Sequence, residues 1–306
     1  MKFSPCLLLL LLLACGAPSE DVNKNPQAPK PPNILFLFTD DQTYRAVHAL
    51  GNTAIQTPNM DRLIGNGTTF THAYNMGAWN GAVCLASRAM IVSGRSLWRA
   101  NRFRQGWQQG DSLALAQSWG KLMEQQGYDT YMSGKWHVDA PAAKVFQQVS
   151  HVRPGMPGDQ WDHETMVRRF AEEVDGKKVK AADVMPVGYN RPLNETDDSW
   201  SPSDSAFGGF WEGGQHWSEV LRDDAVSFLQ QAKQSSNPFF MYVAFNAPHD
   251  PRQSPQEYID RYPLDEMELP SNWLPEYPYQ EAIGNGPSLR DEALAPFPRT
   301  AYALKK

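Results

Sequence analysis

The sequence predicts an α/β protein in which a central sheet is sandwiched between helices on both faces. Two observations carry this expectation. The runs 34–38 and 239–245 are apolar throughout and of strand length, as in strands covered on both sides. Helical apolar spacing over 113–126 and 220–233 is followed each time by a strand-like segment, the repetition expected of an α/β sheet. A chain of 306 residues without internal repeats is accommodated as one large domain.

The chain opens with a targeting segment. Lys2 precedes an apolar stretch from Cys6 to Ala14, the length of a signal-peptide core and too short for a membrane span. It closes as Leu12-Leu13-Ala14-Cys15-Gly16, which resembles a bacterial lipobox with Cys15 as the lipidated residue; a plain secretory signal cleaved nearby is the alternative. An acylated Cys15 would hold the protein at a membrane surface in an exported compartment. Residues 16–32 are rich in proline and small polar residues and read as an extended tether. The domain therefore runs over 33–306, and with Cys6 and Cys15 assigned to the leader, Cys84 has no intramolecular disulfide partner.

Within the domain, Ile34 to Phe38 reads as a central strand, ending at Asp40-Asp41. A helix is expected to begin over Ala86–Val92, with Cys84 at its N-terminal end and Arg88 one turn on. Leu113 to Gln126 reads as one helix stopped by Gly127, and Tyr128 to Met132 as a short strand leading to Gly134-Lys135-Trp136-His137. Val220 to Lys233 is a further helix, and Phe239 to Phe245 a buried strand ending at Asn246-Ala247-Pro248-His249-Asp250-Pro251. The connection Asp198–Trp217 is long and aromatic; its rings either pack the loop or stack on sugar faces.

Reactive residue types thus gather at strand ends, where open α/β sheets bind ligands. Asp40 and Asp41 are hard oxygen donors suited to Ca²⁺ or Mg²⁺ rather than zinc, or else a solvated turn. Lys135 and His137 are either a charge and a proton carrier or a surface lysine and a satisfied core histidine. His249 sits between prolines, which would fix an acid or base in place. Cys84 is either a small apolar residue or a thiol placed where a helix N-terminus favours negative charge.

Taken in order, these segments resemble the N-terminal part of a type I, formylglycine-dependent sulfatase, a branch of the alkaline phosphatase-like superfamily. The resemblance rests on Pro32-Asn33-Ile34-Leu35 leading to Asp40-Asp41-Gln42, on Cys84-Leu85-Ala86-Ser87-Arg88 with Gly94-Arg95, on Gly134-Lys135-Trp136-His137, and on Ala247-Pro248-His249-Asp250-Pro251. It implies an alkaline phosphatase-like mixed sheet with helices on both faces. It also implies that a maturation enzyme oxidises Cys84 to Cα-formylglycine, whose hydrate attacks the sulfur of a sulfate ester. Asp40, Asp41 and the oxidised Cys84 would bind Ca²⁺, with Mg²⁺ as the alternative. Arg88 and Lys135 would neutralise sulfate oxygens, His249 would help protonate the leaving alcohol, and His137 would take a proton as sulfate departs. No later Asp-Asn or Asp-His-Gly segment completing the metal site is recognisable before Lys306, so the C-terminal part of the family fold is expected to be missing.

A net charge of -6, with no basic run, excludes a general nucleic-acid binder. The expected substrate is sulfated carbohydrate. The alternatives are a truncated, non-catalytic glycan-binding lipoprotein and a formylglycine-dependent phosphonate or phosphodiester hydrolase.

Overall fold

A computed structural model of the chain describes residues 30–79, 83–157, 168–174, 176, 178, 192, 194–198, 200–275, 278–279 and 300–305. The expected leader and nearly all of the tether lie outside these residues. Asn33–Lys306 forms one compact unit. Among the described residues no helix is long and apolar enough to cross a membrane.

The sheet contains β1 (Ile34–Phe38), β2 (Asp129–Lys135), β3 (Gln148–Arg153) and β6 (Phe239–Ala244), in the order β1-β6-β2-β3. Every neighbouring pair is parallel. The α/β class is as expected, but no antiparallel member of the mixed sheet occurs among the described residues. Parallel pairing requires long crossovers, and here they are helical. The crossover from β1 to β2 contains α1 (Pro58–Asn66), α2 (Val83–Ser93), α3 (Leu97–Gln108), α4 (Ser112–Ala116) and α5 (Trp119–Gln125). Between β2 and β3 lies α6 (Ala142–Val145). The antiparallel ribbon β4 (Trp211–Glu212) and β5 (Gln215–His216) then leads into α7 (Trp217–Ala232), and α8 (Gln256–Ile259) follows β6.

Each face of the sheet has its own core. On one, Phe36, Phe38, Met132, Phe240 and Tyr242 pack against Ala89 and Val92 of α2, Trp107 of α3 and Trp119 of α5. On the other, Tyr131, Met241 and Val243 meet Leu221, Phe228 and Ala232 of α7. β2 and β6 are buried nearly end to end, which is why 239–245 is apolar at every position. β1 departs from the expectation of a strand covered on both faces. It is an edge strand among the described residues, and its outward Leu35 and Leu37 are 46% and 50% exposed.

The single helix expected over 113–126 is two. Asp111 caps α4, its Oδ1 accepting from the Leu113 and Ala114 N–H groups at 2.8 and 3.4 Å. The buried Ser118 hydroxyl then donates to the Leu115 carbonyl at 2.6 Å, while Ser118, in extended backbone, starts α5. The hydroxyl competes with the next helical hydrogen bond, and the helix restarts after Ser118. Gly127 stops α5 as expected, with φ 81° and a Tyr128 N–H to Met123 carbonyl bond at 3.1 Å. β3 was not anticipated, because Gln148–Arg153 is mostly polar and belongs to an edge.

Three rings of the aromatic connection are packed, while Phe207 and Trp211 are partly buried. Trp200, Phe210 and Trp217 are buried, and the Phe210 and Trp217 rings lie 5.1 Å apart. These rings stabilise the loop and present no face to a sugar.

Candidate active site

Three adjacent parallel strands end on the same edge of the sheet and deliver the chemistry. The chain leaving β1 carries Asp40 and Asp41, that leaving β6 carries Asn246 and His249, and β2 carries Lys135 at its last position. The β1 and β6 ends are tied beyond the strands themselves: the Phe245 N–H donates to the Phe38 carbonyl at 2.7 Å, and the Asp40 N–H to the Ala247 carbonyl at 3.3 Å. α2 brings Arg88 onto this edge from the face opposite α7.

Asp40, Arg88 and Lys135 meet in the interior. All three are buried, Lys135 completely. The Lys135 Nζ donates to Asp40 Oδ2, and Arg88 Nη2 lies 3.7 Å from Asp40 Oδ1. Arg88 Nη1 donates to the Lys135 carbonyl at 2.7 Å and to the Tyr242 hydroxyl at 2.9 Å, and its guanidinium lies over the Phe38 ring. Two cations therefore face one carboxylate. The Arg88 Nε and Nη2 are buried without a hydrogen-bond partner, and such groups are costly unless a ligand completes them. An anion is the kind of ligand that both nitrogens can donate to.

Asp41 diverges from Asp40. Its φ of 61° lies in the left-handed region, which Asp tolerates better than most residues. The turn leaves its carboxylate half-exposed and 3.6 Å from His249 Nε2. The His249 Nδ1 pairs with the Asp250 carbonyl at 2.9 Å; since a carbonyl only accepts, this nitrogen carries the proton and Nε2 is directed at Asp41.

His137 also adopts a left-handed conformation, φ 46°, just past the end of β2. Burial, reinforced by the positive charge of Lys135 and Arg88, holds its pKa down at about 4. The imidazole is neutral at physiological pH and its Nδ1 is buried without a hydrogen-bond partner. Gly155 packs directly on this ring: a Cβ there would lie 2.7 Å from His137 Cε1 and Nδ1.

Cys84 stands on the first turn of α2, partly exposed, one turn ahead of Arg88. The seven expected site residues therefore fall into two directly joined groups, Asp40-Arg88-Lys135 and Asp41-His249, with His137 and Cys84 flanking them. The expected metal site is not assembled. Asp40 is engaged by Lys135 and Arg88, Asp41 faces His249, and among the described residues no three His, Cys, Asp or Glu side chains could hold a metal ion. The carboxylates are donors of the right type, but their arrangement here does not fit a divalent cation.

Two contributors escaped the sequence reading. Tyr242 supplies an acceptor to Arg88 from mid-strand; its signal is the lone hydroxyl in an otherwise apolar run. Asp224 of α7 accepts from the Ser133 and Ser150 hydroxyls at 2.5 and 2.9 Å and pairs with His151 Nδ1 at 2.8 Å. It clasps the irregularity where the β2–β3 register shifts between Ser133 and Gly134, just before Lys135.

Residues 32–282 match the protein-family model described as Sulfatase. An N-acetylglucosamine-6-O-sulfatase of Bacteroides thetaiotaomicron is 30% identical over 257 residues, covering 81% of this chain and 36% of that protein. An uncharacterized sulfatase of Escherichia coli is 26% identical, with 76% of this chain and 41% of that protein covered. An N-acetylgalactosamine-6-O-sulfatase of Bacteroides thetaiotaomicron is 24% identical, covering 80% of this chain and 54% of that protein. The chain spans 36–54% of the length of these relatives.

Proposed function

Because the chain belongs to the sulfatase family, we propose that the protein hydrolyses sulfate esters of carbohydrate, with Cys84 as the position where the nucleophile is made. The observation that carries this is the buried Arg88-Lys135 pair at the strand ends, with two Arg88 nitrogens lacking a hydrogen bond. Preorganised cations of this kind stabilise the charge that develops on sulfuryl oxygens, without reorganisation at the moment of reaction. The carbohydrate class is supported by the two sugar sulfatases among the relatives.

Converted to formylglycine by a maturation enzyme, Cys84 would supply as its hydrate an oxygen nucleophile for sulfur. The chain's own residues do the rest. Arg88 and Lys135 hold the sulfate oxygens; for Lys135 this means sharing its ammonium between Asp40 and the substrate. His249, its Nδ1–H held by the Asp250 carbonyl, would as the imidazolium facing Asp41 give its Nε2 proton to the leaving alcohol. His137, neutral through burial beside two cations, accepts a proton as sulfate is released. Ca²⁺, with Mg²⁺ as the alternative, is the cofactor that family membership suggests; no step is assigned to it, since Asp40 and Asp41 are engaged elsewhere. Cys15 lipidation would place the enzyme on an exported membrane surface, where it meets polymeric substrate.

The formylglycine-dependent phosphonate or phosphodiester hydrolase is separated by comparing nitrophenyl sulfate with a phosphate diester, using protein in which Cys84 is converted. Higher kcat/KM on the sulfate is expected. A preference for the diester would reassign the chemistry. Sugar binding without turnover by the converted protein would instead support the non-catalytic glycan-binding reading.

A further inference from the structure

We propose that the cavity beside His249 is a saccharide subsite, built by the start of α7 and the segment 247–258, which holds the sugar that bears the scissile sulfate. This rests on the sulfatase reading for its place in the reaction, but not for its ability to bind a sugar. The cavity has a volume of about 560 Å³, within the range of small-ligand sites. His249 and Pro248 form one wall, Arg222 of α7 and Arg252 contribute cations, and Glu257 and Tyr258 of α8 complete it.

Its position fixes its role. Lys135 and Arg88 mark the sulfate end through Asp40, and Asp41 links that end to His249. His249 lies in the wall between the two. A group that carries a proton to a leaving alcohol must have the alcohol beside it, and the open volume beside His249 is this cavity. Its chemistry suits a polyhydroxylated ring rather than an apolar or purely anionic one. Guanidinium and carboxylate groups stand together, so hydroxyls find both donors and acceptors. Arg222 is oriented by Asp223 at 2.9 Å and Arg252 lies 3.6 Å from Asp250, which tempers the positive charge. Tyr258, 48% exposed, offers a ring for the apolar face of a sugar and is steadied by Arg261, 5.0 Å from its centroid.

The test uses unsulfated N-acetylglucosamine as probe and the full chain, read by saturation-transfer NMR. It needs neither oxidised Cys84 nor turnover, so its failure is distinct from a failure to hydrolyse sulfate. The wild-type chain is expected to bind the sugar, and Arg222→Ala and Tyr258→Ala each to weaken binding by roughly tenfold, the scale of one lost charged hydrogen bond or ring contact. Tyr258→Phe, which keeps the ring, should bind within about twofold of wild type. Both positions are exposed, and unchanged melting temperatures confirm that the variants fold. No binding by the wild type, or equal binding by both alanine variants, would overturn the assignment.

Discussion

Tyr242 is the residue whose role is most sharply defined by its surroundings. Its hydroxyl is buried, its pKa is pushed up to about 12 chiefly by desolvation, and it accepts a 2.9 Å hydrogen bond from Arg88. It therefore stays a neutral phenol and acts as a positioning residue for the guanidinium. Tyr242→Phe should cost about 1 kcal/mol of stability, the typical net value of such a bond, measured by urea unfolding. In active enzyme it should lower kcat more than it raises KM, because a loosened Arg88 stabilises the transition state less well. Gly155 makes a similar argument by steric exclusion. Gly155→Ala puts a methyl group where the His137 ring stands, so the ring must move toward solvent. Its pKa should climb from about 4 toward its ordinary value of 6.5, as followed by NMR titration. An unchanged pKa would show that the ring is not held where the structure places it.

Lys135 tests the balance of charge. Removing it as Lys135→Met leaves Asp40 buried with Arg88 alone, and loss of one partner from such a cluster costs about 3–5 kcal/mol. With Lys135 present, EDTA should leave the melting temperature of this chain unchanged, because both oxygens of Asp40 already face cations. A clear fall on chelation would mean that a metal, not Lys135, neutralises Asp40.

At the scale of elements, α7 has a built-in pH dependence. Its N-cap His216 accepts from the Ser218 N–H through Nδ1 at 3.2 Å, and Nε2 donates to the Gln253 carbonyl at 3.0 Å. Both nitrogens are thus used in the neutral form, and burial lowers the pKa. A folded-state pKa below the unfolded value of about 6.5 gives full stability above that pH and a progressive loss as pH falls through it. Melting temperature should decline below about pH 6.5, and His216→Asn, which keeps a capping acceptor, should flatten the decline. His137, also held below its ordinary pKa, supplies the remainder of the slope, so a slope as steep in the variant as in the wild type would place the titration away from His216.

Elements with continuous or helical apolar patterns were legible from the sequence: β1, α2, α7 and β6 fall within a few residues of expectation. What escaped was decided by side chains that periodicity does not register. Ser118 broke a helix with one hydroxyl, and Asp224 secured a polar edge strand from across the sheet. β2 runs three residues beyond the expected Met132, to Lys135. The extension passes through Gly134, whose φ of 95° and close approach to the Ala244 carbonyl leave no room for a Cβ. Reactive residues at strand ends could be anticipated because parallel sheets gather them there. Their mutual geometry could not, since the left-handed turns at Asp41 and His137 decide which way each side chain points.

For the molecule as a whole, the account joins two findings: the chain belongs to the sulfatase family, and it brings cations from α2 and β2 onto one carboxylate beside two histidines. Asp40 and Asp41, adjacent in sequence, are turned toward different partners, Lys135 and His249, a matter of turn geometry rather than composition. The measurement that tests the central claim most directly is release of inorganic sulfate from a sulfated N-acetylglucosamine. It should be made on protein co-produced with a formylglycine-forming maturation enzyme, with the oxidation state of Cys84 read by peptide mass in each sample. The account predicts release in proportion to the fraction of Cys84 converted to the aldehyde, and none from Cys84→Ala. Release that persists in Cys84→Ala, or none from fully converted protein, would contradict it.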